Sequence, residues 1–112
     1  MKIYAIDAVA AGFLCCRDYW KDGIEAALEL EKLKQENAVE HWFDGFSLEE
    51  LELEGPEQDF IYEVHWRNRE FENEGREIYL SAVKAQIAKN KYERHCETSI
   101  DKIYLKTLVK ES

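Results

Sequence analysis

The stretch Gln35–Trp66, QENAVEHWFDGFSLEELELEGPEQDFIYEVHW, contains the clearest strand signal in the chain. Large apolar side chains occupy every second position of Phe60–Arg67, and this period of two is typical of a β-strand with one face against a core. The residues of that face are Phe60, Tyr62, Val64 and Trp66. We therefore predict that this strand anchors the fold and that the rest of the stretch is arranged around it.

The same stretch has ten carboxylates and no lysine or arginine. The acidic residues are Glu36, Glu40, Asp44, Glu49, Glu50, Glu52, Glu54, Glu57, Asp59 and Glu63. The negative charge of this stretch cannot be balanced by basic residues of the stretch itself. It must face solvent, a basic partner or the more basic C-terminal third of the chain.

Just before the clearest strand, Leu51–Glu54 also alternates, and Gly55-Pro56 closes that segment because proline lacks a backbone donor and restricts its predecessor. Leu51–Glu54 and Phe60–Arg67 are therefore predicted to pair as an antiparallel hairpin. Asp44-Gly45 indicates a turn upstream of it. For the residues after this turn the alternative is a helix that begins near Ser47, since Ser47–Glu50 has the spacing of a capping box.

At the N-terminal end, both parities of Lys2–Ala8 are apolar, which predicts a strand in the centre of a sheet. Residues 10–12 form a candidate turn, so Phe13–Trp20 is predicted as the second arm of a hairpin. The alternative is a helix over residues 8–20 capped by Asp7. Gly12 opposes that helix by about 1 kcal/mol.

Two helices are predicted. Asp22 is a candidate N-cap for the first, over about 23–36, which Asn37 is expected to end. The second covers Arg76–His95, or about 77–95, and exposes a basic surface. Asn68–Gly75 before it has the composition of a turn.

Near the C-terminus, Asp101–Val109 alternates as a strand, with a helix capped at Ser99 as the alternative. The complete prediction is an α+β fold in which a small antiparallel sheet of about three to five strands packs against the two main helices. We predict a single domain over 1–112, without an internal repeat.

The formal net charge of −9 on 112 residues opposes direct binding to nucleic acid or to an anionic membrane. No apolar run approaches the roughly 20 residues that span a bilayer. The three cysteines, Cys15, Cys16 and Cys96, are odd in number, and two of them are adjacent. This pattern favours reduced thiols and predicts a cytoplasmic protein.

Candidate chemical groups are few. Neither a Cys-x-x-Cys nor a His-x₃₋₅-His spacing occurs, and no cofactor is predicted. A metal- or thiol-dependent small enzyme would have to use His95 and Cys96 with Cys15 and Cys16. Because the glutamates of residues 50–54 alternate with leucines, they are expected on a solvated face rather than in an acid–base site.

The main functional hypothesis is a non-enzymatic interaction or inhibitor protein whose anionic face docks onto a basic protein surface, such as that of a nucleic-acid-binding enzyme. The predicted partner-binding residues are Asp44, Phe46, Glu49, Glu50, Glu52, Glu54, Glu57 and Asp59. In size, charge and lack of motifs, the chain is similar in style to small acidic phage proteins that antagonise bacterial defence, such as anti-restriction and anti-CRISPR proteins. That similarity implies carboxylates that mimic DNA phosphates. A third hypothesis is a homo-oligomeric accessory domain with Trp42, Phe43 and Phe46 at the interface between copies.

Overall fold

A computed structural model describes residues 1–108, and within them it has two helices and two three-stranded antiparallel sheets. The predicted α+β fold class is confirmed. In chain order the elements are β1 (Lys2–Ala10), β2 (Phe13–Trp20), α1 (Gly23–Glu40), β3 (Gly45–Glu52), β4 (Phe60–Asn68), β5 (Asn73–Tyr79), α2 (Ala82–Tyr92) and β6 (Glu97–Tyr104).

The chain divides into two compact units. The N-terminal unit comprises Lys2–Glu52 with the segment from Leu105 onward, and the C-terminal unit comprises Met1 with Leu53–Tyr104. Each unit has the order strand, strand, helix, strand, and its first strand lies in the middle of its sheet, as β2–β1–β3 and β5–β4–β6. A repeat of topology is therefore present where the sequence predicted none, because the two units share an order of elements and not a sequence period. The single-domain assignment stays a prediction.

In the N-terminal unit, the predicted hairpin of the first two strands is confirmed, and β1 is central as expected. Ala11 and Gly12 both have positive φ, 53° and 80°, which suits a tight hairpin turn whose twist matches the strands. Gly12 reaches this conformation without the steric cost of a Cβ. That local geometry decides against the alternative helix over residues 8–20.

Helix α1 packs on one face of this sheet, where Ile6, Trp20 and Ala26 form the buried core. Its N-cap is Asp22, as predicted, and the carboxylate accepts hydrogen bonds from the backbone N–H groups of Ile24 and Glu25.

The predicted end of this helix at Asn37 is wrong, because α1 continues to Glu40 and ends at His41, which has a left-handed φ of 55°. Asn37 instead uses its side-chain amide to hold the backbone of Phe43. Its Oδ1 accepts from the Phe43 N–H and its Nδ2 donates to the Phe43 carbonyl, each at 2.8 Å.

The predicted hairpin between Leu51–Glu54 and Phe60–Arg67 is also wrong. Strand β3 pairs antiparallel with β1, with Leu51 opposite Ile3, whereas β4 pairs with β5 and β6. The physical reason is that β1 contributes the buried residues Ile3, Ala5 and Ile6, so β3 completes that apolar sheet instead of folding onto its neighbour in sequence. A helix starting near Ser47 is excluded by the same pairing.

In the C-terminal unit, the strand at Phe60–Arg67 is confirmed as β4 and lies in the centre of its sheet. Val64 from its predicted core face packs with Ala85 and Ala88 of α2, and Tyr62 packs against this cluster. The predicted start of the second helix is wrong. Residues 73–79 form β5, and α2 begins at Ala82 after the N-cap Ser81.

The cross-strand pair Trp66–Gly75 holds residues 73–79 as a strand beside β4. The indole of Trp66 occupies the space above Gly75, where a Cβ would overlap the ring. Tyr92 stacks on this indole, with 5.1 Å between the ring centroids. Residues 69–72 alone form the turn, so Asn68–Gly75 is turn-like only in part. Strand β6 overlaps the last predicted strand only over residues 101–104, because it begins at Glu97 and ends at Tyr104. The alternative helix capped at Ser99 is therefore wrong, and Val109 lies outside the described residues.

Candidate partner-binding surface

Strand β3 positions four of the predicted partner-binding residues, Phe46 and three glutamates, on an edge of the N-terminal sheet. Glu49, Glu50 and Glu52 are all exposed. Because side chains alternate along a strand, Glu50 and Glu52 lie on the same face as Phe46, whereas Glu49 lies on the other face. The edge therefore presents carboxylates on both sides of its backbone.

Nearby bases pair with some of these carboxylates. Lys2 Nζ lies 3.4 Å from Glu50, and the hydrogen bond and charge of Glu50 raise the pKa of Lys2. Arg17 Nη2 lies 3.6 Å from Glu49, but its closer partner is Asp7, at 2.6 Å from Nε. The hydrogen bond to Asp7 raises the pKa of Arg17 above its ordinary value, although partial burial opposes this effect. The exposed Lys2–Glu50 pair contributes little stability and is easily exchanged for another partner, whereas the Arg17–Asp7 pair is largely buried.

These pairs do not neutralise the unit. Residues 2–52 have 12 carboxylates against 5 lysines and arginines, a formal net charge of −7. In the described tail of the same unit, Lys106 is paired with Asp18 at 3.2 Å. The N-terminal unit therefore keeps a strongly negative surface after its internal ion pairs are formed.

Asp44, another predicted residue, holds the start of β3 against the β1–β2 turn. Its Oδ2 accepts from the backbone N–H of Ala11 at 2.5 Å, and its own N–H donates to the carbonyl of Val9 at 2.7 Å. Ala11 has a positive φ, so this bond fixes a backbone conformation that a residue with a Cβ seldom adopts. Asp44 thus has a structural contact in addition to its exposed position.

The remaining predicted residues, Glu54, Glu57 and Asp59, belong to the C-terminal unit and are exposed there. Glu54 lies 3.4 Å from Lys84 Nζ at the beginning of α2. The predicted set therefore divides between the two units. Five of the residues, from Asp44 to Glu52, belong to the N-terminal unit, and the other three belong to the C-terminal unit.

Beside β3 lies a small depression that we call the aromatic cleft. Its lining residues are Leu33, Glu36, Asn37, Glu40, Trp42, Phe43 and Phe46, and its volume is about 80 Å³. Phe43 and Phe46 meet edge to face, with centroids 5.5 Å apart. Trp42 is 69% exposed and donates its indole N–H to Glu40 at 2.7 Å.

The end of α1 adds to the negative potential of this cleft. The last turn of α1 contains no basic residue, whereas the last turn of α2 contains Lys89 and Lys91. A helix C-terminus carries a partial negative charge that cations stabilise and carboxylates oppose. Glu40 is the last residue of α1, so its negative charge is unfavourable at this end of the helix.

Sequence reasoning selected Phe46 but missed Glu36, Glu40 and Asn37 as members of one site. The signal that could have found them is the i, i+4 spacing of Glu36 and Glu40 followed by Trp42. That spacing is meaningful only on a helix that continues beyond Asn37, which the sequence prediction ended too early.

None of the three thiols lies on β3 or lines the aromatic cleft. Cys15 and Cys16 are exposed on β2, and Cys96 is half-buried just before β6. Among residues 1–108, no group of three or more His, Cys, Asp or Glu side chains is arranged to hold a metal ion. In the same residues, no helix is both long and apolar enough to cross a membrane.

The C-terminal unit contains one further polar cluster, which the sequence did not indicate. Tyr79 and Tyr92 both donate their hydroxyl groups to the Glu77 carboxylate, each at 2.5 Å. Burial, supported by the bond to Glu77, raises the pKa of Tyr79 to about 12, and the bond to Glu77 raises that of Tyr92. The cluster ties β5 to the end of α2 and has the character of a structural network.

Comparison with known proteins provides no family for this fold and surface. No protein-family model matches the chain, and neither a curated protein nor a solved structure is significantly similar to it. The function must therefore be argued from the geometry and charge of the surface itself.

Proposed function

We propose that the N-terminal unit is a protein-binding module that docks onto a basic partner through an anionic surface formed by β3 and the C-terminal end of α1. The observation that carries the proposal is the formal charge of −7 on residues 2–52, with Glu49, Glu50 and Glu52 exposed along one sheet edge. Clustered charge of one sign steers a partner of opposite charge and selects against others.

The spacing of these carboxylates supports a partner that normally binds nucleic acid. An extended strand rises about 3.4 Å per residue. Phosphates along one strand of duplex DNA are spaced by about the same 3.4 Å along the helix axis. On β3, Glu50 and Glu52 share one face and are two residues, about 6.8 Å, apart, while Glu49 lies on the other face. The edge as a whole, rather than a single face, therefore approaches the charge spacing of a DNA strand. On this basis the protein acts as an inhibitor that occupies the nucleic-acid site of a basic enzyme, in the manner of the phage anti-defence proteins.

The test is affinity capture from an extract of the cells in which the protein is naturally made, with quantitative mass spectrometry of the bound proteins. A variant with glutamine in place of Glu49, Glu50 and Glu52 keeps the side-chain shape and removes three negative charges from β3. We expect the unmodified protein to retain a basic nucleic-acid-binding protein and the β3 variant to lose most of it.

The matched control is a variant with glutamine in place of Glu70, Glu72 and Glu74. These three residues are exposed on the β4–β5 hairpin of the C-terminal unit, so the change in net charge is the same. We expect this control to capture the partner as the unmodified protein does. Equal loss from both variants would mean that only total charge matters, and equal retention by both would exclude β3 as the docking edge.

A further inference from the structure

The aromatic cleft beside the end of α1 is sized for one side chain. Its volume of about 80 Å³ is far below the roughly 300 Å³ at the lower end of small-molecule sites. A cofactor or metabolite would not be enclosed by it. A single side chain projecting from a partner surface would.

The charge around the cleft selects a cation. Glu36 and Glu40 stand at its rim, and the negative end of α1 has no basic residue in its last turn. A positive group placed here would interact favourably with both carboxylates and with the helix end. An anionic or purely apolar group would leave this charge uncompensated.

The walls of the cleft select among cations. Trp42, Phe43 and Phe46 supply aromatic surface, which attracts cations through the negative faces of the rings. The guanidinium of arginine is planar, stacks on aromatic rings and forms paired hydrogen bonds with a carboxylate, whereas the ammonium of lysine is a compact and strongly hydrated charge. Arginine and tryptophan are also the residues most enriched among interface hot spots.

We propose that the aromatic cleft receives an arginine side chain of the basic partner, with the guanidinium against Trp42 and bonded to Glu40. The inference rests on the proposed function, because it names the group by which that partner is anchored.

The cleft is organised before any ligand enters. The amide of Asn37 fixes the backbone of Phe43, and the indole of Trp42 is oriented by its bond to Glu40. The left-handed residue His41 redirects the chain between these two contacts, and its N–H donates to the Asn37 carbonyl at 2.7 Å. Little ordering is therefore needed on binding, which favours affinity.

The test is an NMR titration of the ¹⁵N-labelled full chain with N-acetylarginine amide. The neutral isostere N-acetylcitrulline amide serves as the control ligand. We expect a saturable shift of the Trp42 indole N–H signal with the arginine compound and none with the citrulline compound. The variant Trp42→Phe identifies that signal by its disappearance.

Matched variants locate the binding. Glu40→Gln should weaken the arginine affinity at least fivefold, whereas Glu31→Gln, an equal charge change on an exposed residue of the same helix, should leave it within twofold. Equal binding of citrulline, equal effects of the two variants, or the absence of a saturable shift would each overturn the proposal. Signals of the cleft that shift with protein concentration alone would also overturn it, because a second copy of the chain would then be the occupant.

The two proposals fail separately. If the cleft does not bind the arginine compound while partner capture still depends on Glu49, Glu50 and Glu52, the cleft proposal is wrong and the proposed function stands. If the cleft binds arginine but no basic protein is captured through β3, the proposed function is wrong.

Discussion

Replacing Glu40 by glutamine should stabilise this protein, although the change removes a group that the proposed cleft needs. Glu40 is the last residue of α1, whose final turn has no basic residue. Its negative charge therefore opposes the partial negative charge of the helix end.

The magnitude follows from the two interactions of the side chain. Charges near helix ends are worth about 0.3–1 kcal/mol at low ionic strength. The hydrogen bond from the Trp42 indole to Glu40 is retained, because the amide oxygen of glutamine can accept it as well. With a urea m-value of about 1.5 kcal/mol/M for a protein of this size, the midpoint of unfolding should rise by roughly 0.2–0.7 M.

The assay is urea unfolding at low ionic strength, since urea is uncharged and does not screen the effect. Two variants of the same helix are internal controls. Glu25→Gln, in the first turn, should destabilise by a similar amount because a carboxylate there is favourable, and Glu31→Gln, in the middle, should change little. The differences in urea midpoint between the variants and the unmodified protein should shrink at about 0.5 M NaCl, where screening shortens the range of the charges to a few ångströms.

A Glu40→Gln protein that is equally stable or less stable at low salt would refute the reasoning. It would mean that the end of α1 is already compensated, and the negative potential on which the arginine site depends would be absent. A gain in stability that persists at high salt would also contradict it, because the source would then not be electrostatic.

Two further predictions concern the C-terminal unit. Gly75→Ala should lower the free energy of unfolding by about 1–3 kcal/mol in a thermal unfolding experiment, because its Cβ would overlap the ring of Trp66. Gly45→Ala is the control and should be nearly neutral, since the space around Gly45 is open. An equal loss of stability in the two variants would contradict the packing argument. Glu77→Gln should lower the pKa of Tyr79 part of the way from about 12 toward its ordinary value in an ultraviolet titration, because burial remains as the larger cause. Since the folded pKa of this tyrosine is the raised one, its contribution to stability is complete below the unfolded pKa of about 10 and is lost as the pH rises through 12. An unchanged titration would show that the bond to Glu77 does not matter.

Local signals predicted the central strands of both sheets correctly. The apolar residues of both parities at Lys2–Ala8 and the alternation at Phe60–Arg67 depend only on neighbours along the chain. The same holds for the β1–β2 turn, where Gly12 supplies a positive φ. These features could be derived because each one has its physical cause within a few residues.

The pairing partner of β3 could not be derived in this way. Leu51 pairs with Ile3, 48 positions away, whereas the sequence offered Phe60–Arg67 as a nearer partner of similar character. Residues 73–79 were misassigned for a related reason. Ile78 and Tyr79 fit a helical stripe or a strand equally well, and the deciding contact is the tertiary pair of Gly75 with Trp66.

The acidic surface was predictable and the aromatic cleft was not. The acidic composition selected Glu49, Glu50 and Glu52, which the structure places together on β3. It also selected Glu54, Glu57 and Asp59, which belong to the other unit. The cleft depends on α1 continuing past Asn37, whose composition predicts a helix end but whose amide is used to hold Phe43. A side-chain contact of this kind leaves no periodic trace in the sequence.

The most direct test of the account is the dissociation constant between this protein and the basic protein that it captures, measured at low and moderate salt. We predict that removing the charges of Glu49, Glu50 and Glu52 weakens binding at least tenfold at low salt, and that this difference narrows as salt is raised. The glutamine control on the β4–β5 hairpin should bind like the unmodified protein. An affinity that is unaffected by the β3 substitutions, or that does not respond to salt, would contradict the anionic docking surface.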